Sequence, residues 1–263
     1  MIKKILPLAL CGLMAGCAAI KEFQPLQSGL QTFFVRSLVV AKPEGGVDKH
    51  AFLIWASTGD KISDMKKSQG AGSTPAAAVG IDKESSFYDD TAVGEGVTYV
   101  YGATFGEKTL TRQIKVLAVS DAGAMNSLTP NNLSAASSKP TFGWAVDESN
   151  GKPSGFLLSV VKVPDGSSDP SAMTGAEPVY TAFLDAKAHP TGVAYGTPSD
   201  MTAITKELLD VLAKVDTKYA KKDTDQPLAQ GAYGWVIAPI AVDKEKASFA
   251  IGSQAAGFFT VAP

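Results

Sequence analysis

The chain has 263 residues with 24 Lys and Arg against 26 Asp and Glu, a formal net charge of -2, so it carries no basic field for nucleic acid. Arg36 and Arg112 are its only arginines, which excludes a multi-arginine clamp on phosphate or carboxylate. The length suffices for two modest domains or one large one, each able to bury a core.

Lys3 and Lys4 come first, followed by the apolar run Ile5 to Ala15 and then Gly16-Cys17-Ala18-Ala19. A positive pair, a short apolar run and small residues before a cut form a signal peptide over 1–16. The run is well short of the ~20 residues of a permanent membrane span. Cys17 directly after Ala15-Gly16 resembles the lipobox of bacterial lipoproteins, with Met14 where that motif usually has leucine. The resemblance implies cleavage before Cys17, acyl chains on Cys17 and a membrane-anchored, extracytoplasmic protein. Ala18 in place of an aspartate implies sorting to an outer membrane or cell surface. An ordinary secretory signal with a chance cysteine, or an uncleaved anchor, is the alternative. One buried acyl chain holds weakly and two or more hold durably. Cys11 leaves with the signal and Cys17 carries lipid, so the mature body has no thiol for zinc, disulfides or nucleophilic chemistry. Loss of Lys3 and Lys4 leaves that body more acidic still.

Residues 17–31 contain Pro25 and Gly29 and no sustained period, and they read as a lipidated tether. From 32 to 121, short runs rich in Val, Ile, Tyr and Phe lie at Phe33 to Val40, Ala51 to Trp55, Val97 to Thr104 and Gln113 to Val119. Such runs between Gly, Ser, Asp and Pro clusters predict strands of an antiparallel sandwich. The stretch from Phe87-Tyr88-Asp89-Asp90-Thr91 through Gly94 and Gly96 to Thr98-Tyr99-Val100-Tyr101 resembles the fibronectin type III pattern of a strand ending in Asp-Thr, a Gly turn and a Tyr-bearing strand. That resemblance covers residues 38 to 119 and implies a tyrosine corner at Tyr99 and a core tryptophan at Trp55. The Gly- and Lys-rich stretch from Ser57 to Thr74 departs from it, where the third strand belongs.

Between Asp121 and Asn132 the composition turns to Ala, Gly, Ser and Asn with Pro130, which marks a boundary. From 128 to 263 the pattern recurs at Pro140 to Trp144, Gly155 to Val163, Pro178 to Leu184, Gly231 to Ala238 and Gly257 to Val261, predicting a second, divergent Ig-like sandwich. Within it, Ile204, Leu208, Leu212, Val215 and Tyr219 recur at helical spacing, predicting an amphipathic helix over 201–222 that covers a sheet edge or end. The fold class read from the chain is therefore mostly β: two Ig-like or fibronectin type III-like sandwiches with one inserted helix.

No catalytic constellation is present: the motifs His-Glu-x-x-His, Gly-x-Ser-x-Gly and the phosphate-cradling Gly-rich loop are all absent. His50 and His189 read as solvated turn histidines. Asp89, Asp90 and Glu95 are candidate calcium ligands because hard cations take clustered carboxylates, as are the loops at Asp147 and at Asp165 to Asp169. Turns use the same residue types, and that reading is preferred. Tyr88, Tyr101, Tyr180, Tyr195, Tyr233, Trp144 and Trp235 form either a sugar-binding platform or a core, and their apolar strand neighbours favour the core. The expectation is a non-catalytic, lipid-anchored envelope protein with no cofactor beyond the lipid on Cys17. Its partners are the membrane and an envelope protein, as a structural or interaction module. The alternative is a lipoprotein that binds glycan or a small ligand through loops of the second segment.

Overall fold

A computed structural model describes residues 31–42, 45–202, 222, 224, 226–245 and 248–262. Cys17, its tether to residue 30 and residues 203–221 of the predicted helix lie outside the described residues. The first segment holds β1 (Gln31–Ala41), β2 (Val47–Ser57), β3 (Ile62–Gln69), β4 (Ala77–Ala78), β5 (Phe87–Asp90), β6 (Thr98–Phe105) and β7 (Lys108–Lys115). The second holds β8 (Ala124–Thr129), β9 (Ser134–Ala136), β10 (Thr141–Asp147), β11 (Gly155–Val163), β12 (Pro178–Asp185), β13 (Gly192–Ala194), β14 (Gly231–Asp243), β15 (Ser248–Ile251) and β16 (Ala255–Val261). The only helical turns among the described residues are two short 3₁₀ turns, Val119–Ala122 and Pro170–Met173.

One nine-stranded sheet runs through both segments in the order β12-β11-β14-β15-β1-β2-β5, with β16 on β14 and β9 on β16. The link is β15, which pairs in parallel with β1 from Ser37↔Ser248 to Val40↔Ile251 and antiparallel with β14. Two smaller sheets, β4-β3-β6-β7 and β13-β10-β8, complete the molecule. The burial of β1 records this arrangement. Phe33 and Val35 are buried while Phe34 and Arg36 are exposed, the alternation of a strand with one wet face. From Ser37 onward both faces are buried, where β15 joins the strand.

The core lies in three main clusters. Phe33, Val35, Leu53, Trp55, Met65, Tyr101 and Phe105 fill the space between the large sheet and β3-β6-β7, and Ala241 of β14 and Ala250 of β15 join them. Phe142, Phe156, Leu158, Tyr180, Trp235 and Phe259 do the same over β8-β10-β13. On the reverse face of the large sheet, Leu38, Phe52, Leu157, Phe183, Ile240, Phe249 and Met201 form a cluster contributed by both segments. Each fully buried Leu or Phe here contributes about 1.5–3 kcal/mol relative to exposure.

Several strand bounds differ from those predicted. The strand expected at Gln113 to Val119 lies upstream, at β7, because Lys108, Thr109, Thr111, Arg112 and Gln113 face solvent and give no apolar alternation. The third strand, unmarked in sequence, is β3, whose apolar contribution is only Ile62 and Met65. The stretch expected as a boundary carries β8. Both ends of the expected helical stretch rest on β12: Met201 N–H donates to Phe183 O, and Lys222 exchanges backbone hydrogen bonds with Thr181.

Candidate functional site

Strand alternation separates two of the predicted carboxylates. Asp89 and Asp90 are consecutive in β5, so their side chains leave opposite faces of the large sheet. Asp90 points inward with a side chain only 5% exposed. Its Oδ2 accepts hydrogen bonds from Lys67 Nζ at 2.7 Å and from the Tyr101 hydroxyl at 2.8 Å, and its Oδ1 accepts from the Ala92 N–H at 3.0 Å. Lys67 Nζ also donates to Ala92 O at 2.9 Å and stands 5.7 Å from the centre of the Tyr99 ring. Lys67 comes from β3 and Tyr101 from β6, so Asp90 joins the edge of the large sheet to the four-stranded one. Burial, followed by the charge and hydrogen bond of Asp90, pushes the Tyr101 phenol far above the usual tyrosine range and keeps it a donor.

Asp89 turns to the other face and lies 3.0 and 3.1 Å from His50 Nδ1 through its two oxygens. Glu95 accepts the Val119 N–H at 2.9 Å, at the head of a 3₁₀ turn. The three candidate calcium ligands therefore serve separate sets of partners: His50 for Asp89, Lys67, Tyr101 and the Ala92 N–H for Asp90, and the Val119 N–H for Glu95. Among the described residues no group of three or more His, Cys, Asp or Glu side chains is placed to hold a metal ion. Asp147 accepts the Ser149 N–H and Asp169 the Ser171 N–H, and these backbone donors hold both carboxyls below the usual aspartate range. Asp165 lines a shallow open depression of about 370 Å³ with Lys162, Gln230 and Thr260. That hollow is polar and open, unlike the apolar clefts that bury most of a ligand.

The expectation of solvated turn histidines fails for His50, whereas His189 does lie at the turn after β12 but with its side chain paired rather than solvated. His50 lies within β2, its side chain 18% exposed, its ring stacked on Phe52 at 5.4 Å and 8°. The hydrogen bond with Asp89 raises its pKa above 6.5, outweighing burial, with the charges of Asp89 and Asp48 adding and Lys42 opposing. His189 Nε2 lies 2.9 Å from Asp200 Oδ2, and its side chain is 19% exposed. Asp200 Oδ1 accepts the Asp185 N–H at 2.7 Å, so this pair fastens the Ser199–Met201 stretch along β12. The two aspartates stand 39 and 11 residues from their histidines, which is why local sequence reading missed them.

The aromatic residues are core. Tyr101, Tyr180 and Trp235 are fully buried, and Tyr195, Tyr233 and Trp144 nearly so; Tyr88 is partly buried against the first cluster. Trp235 Nε1 donates to Pro130 O at 2.8 Å, and its ring lies 4.8 Å from Phe142. The Tyr99 hydroxyl accepts the Gly94 N–H at 2.9 Å, five residues upstream, which is the geometry implied for a tyrosine corner, and Trp55 is buried in the first core. Chemically, these side chains tie strands and layers to one another.

No family model and no curated protein matches the chain. Among solved structures it is similar to the fibronectin(III)-like modules of Clostridium thermocellum CbhA, at 11% identity over 88% of this chain and 94% of that one, with a TM-score of 0.37. It is also similar to the FN1–FN3 domains of chicken CNTN1, at 10% identity over 89% of this chain and 66% of that one, with a TM-score of 0.22.

Proposed function

We propose that this chain is a lipid-anchored cell-envelope protein, held on an outer membrane or cell surface through Cys17, where its β body serves as a structural or protein-interaction module. The observation that carries the reading is the order of parts: an apolar segment too short to span a bilayer, small residues and a cysteine, then a spacer, then a body whose first described strand opens at Gln31. The body supports a non-catalytic role in a further way. Asp89, Asp90, Glu95, His50, His189 and Tyr101 are each engaged in tying strands or turns, and buried polar groups used this way rigidify a scaffold. The partner in this reading is another envelope protein.

Metabolic labelling with a clickable fatty acid tests the anchor. Labelling and membrane fractionation are expected for the full chain and lost in Cys17→Ala; equal labelling of both would overturn the proposal. Native pull-down of the lipidated protein from solubilised membranes then identifies the partner.

A further inference from the structure

The register of β1, β2 and β5 aligns one apolar row. Phe34 pairs with Ile54, and Ile54 with Phe87, so these three side chains stand side by side on one face of the large sheet. Phe34 is 42% exposed, the sole exposed large hydrophobic among the described residues, and Ile54 and Phe87 are partly exposed beside it. The next row on the same face is Arg36, Phe52 and Asp89. Arg36 is exposed and makes no ion pair among the described residues, whereas Asp89 is engaged by His50, and Asp48 by Lys42 at 2.8 Å. An apolar row thus lies beside Arg36, which has no ion-pair partner among the described residues, while Asp89 and Asp48 on the same face are engaged by His50 and Lys42.

We propose that this row is a membrane-contact face: Phe34, Ile54 and Phe87 lie against the bilayer interface, and Arg36 reaches the lipid phosphates. The inference rests on the Cys17 anchor proposed above. The row's place in the chain selects a bilayer over a protein partner. Phe34 is three residues from Gln31, where the tether enters the body. Thirteen tether residues reach at most about 45 Å when extended and about 20 Å as a coil, so the root of the tether is the part of the body held nearest the lipid. At that effective concentration a weak patch engages without high intrinsic affinity. Aromatic and aliphatic side chains enter the interface while a long arginine keeps its head at phosphate level. The acidic net charge of the body gives the remaining surface no general attraction to anionic lipid, so this row sets the orientation.

The test uses the lipidated, full mature protein in phosphatidylethanolamine–phosphatidylglycerol vesicles. Because Cys11 leaves with the signal and Cys17 is acylated, an introduced cysteine is the only free thiol. An environment-sensitive fluorophore is placed at Phe34→Cys and, as a control on the exposed face of β7, at Thr111→Cys. The expected result is a blue-shifted emission at position 34, quenched by doxyl-labelled lipids, with position 111 remaining aqueous and unquenched. Two aqueous probes on a protein that still floats with the vesicles would overturn the contact face and leave the anchor standing. A shift at position 34 that grows with protein concentration and resists doxyl quenching would also overturn it, in favour of a second copy of the chain. Failure to float would refute the anchor and the inference together. As a second variant, Phe34→Glu with the fluorophore at Ile54→Cys should melt like the parent and lose the blue shift; a retained shift contradicts the proposal.

Discussion

Asp89 and Asp90 are neighbours in the chain and belong to different layers of the molecule. The sequence marks them as two carboxylates beside a Gly turn, which is how a cation loop also looks. What it does not carry is the destination of each side chain, since Lys67, Tyr101 and His50 approach from 23, 11 and 39 residues away. Lys67→Met should destabilise the protein by about 3 kcal/mol, because it leaves a nearly buried carboxylate without its cation. Tyr101→Phe should cost about 2 kcal/mol, the scale of a hydrogen bond to a charged group. Urea denaturation measures both, and parental stability in Lys67→Met would show that Asp90 is not held as described. His50 binds its proton more tightly in the folded chain than in the unfolded one. Its contribution is therefore fully present below about pH 6.5 and is lost as the pH rises through its raised pKa. His50→Gln should flatten the dependence of melting temperature on pH between about 5 and 8, and an unaltered slope would contradict this assignment.

Elements were most legible where both faces are buried. β11, all but one of whose residues are buried, has the bounds the apolar run Gly155 to Val163 suggested. Least legible were the edge strand β7, which faces solvent along most of its length, and the interior strand β15, which at four residues is too short to show a pattern. β15 acquires its meaning only from β1 and β14 on either side of it. The predicted helix over 201–222 falls outside the described residues except at its ends. At the level of packing, β16 depends on a glycine. A Cβ at Gly257 would lie 2.4 Å from Trp235 Nε1 and 2.9 Å from Pro130 O, so Gly257→Ala must displace the indole or its acceptor. A loss of about 2–3 kcal/mol is expected, the upper range for overpacking in a core. Thermal unfolding that matched the parent would show that β16 has room the structure does not give it.

At the scale of the whole molecule, the segments 32–121 and 128–263 read as two sandwiches in sequence, and the nine-stranded sheet runs through both. Ala241 and Ala250, from the end of the chain, lie in the core built by its beginning. Loss of either segment therefore removes pairing and packing from the other. Calorimetry of the mature chain should show one transition with equal calorimetric and van't Hoff enthalpies, and two resolved transitions would contradict the shared sheet. The proposed anchor is read from the N-terminus alone because targeting signals are local and linear, whereas a surface such as the proposed row Phe34, Ile54 and Phe87 is assembled from strands distant in the chain. The claim on which the functional account turns is the lipid at Cys17, and intact-mass analysis of the protein extracted from membranes addresses it most directly. The expected species is a chain lacking residues 1–16 and carrying a diacylglyceryl-type adduct on an N-terminal Cys17. A different N-terminus, or an unmodified Cys17 in the membrane-extracted protein, would contradict it.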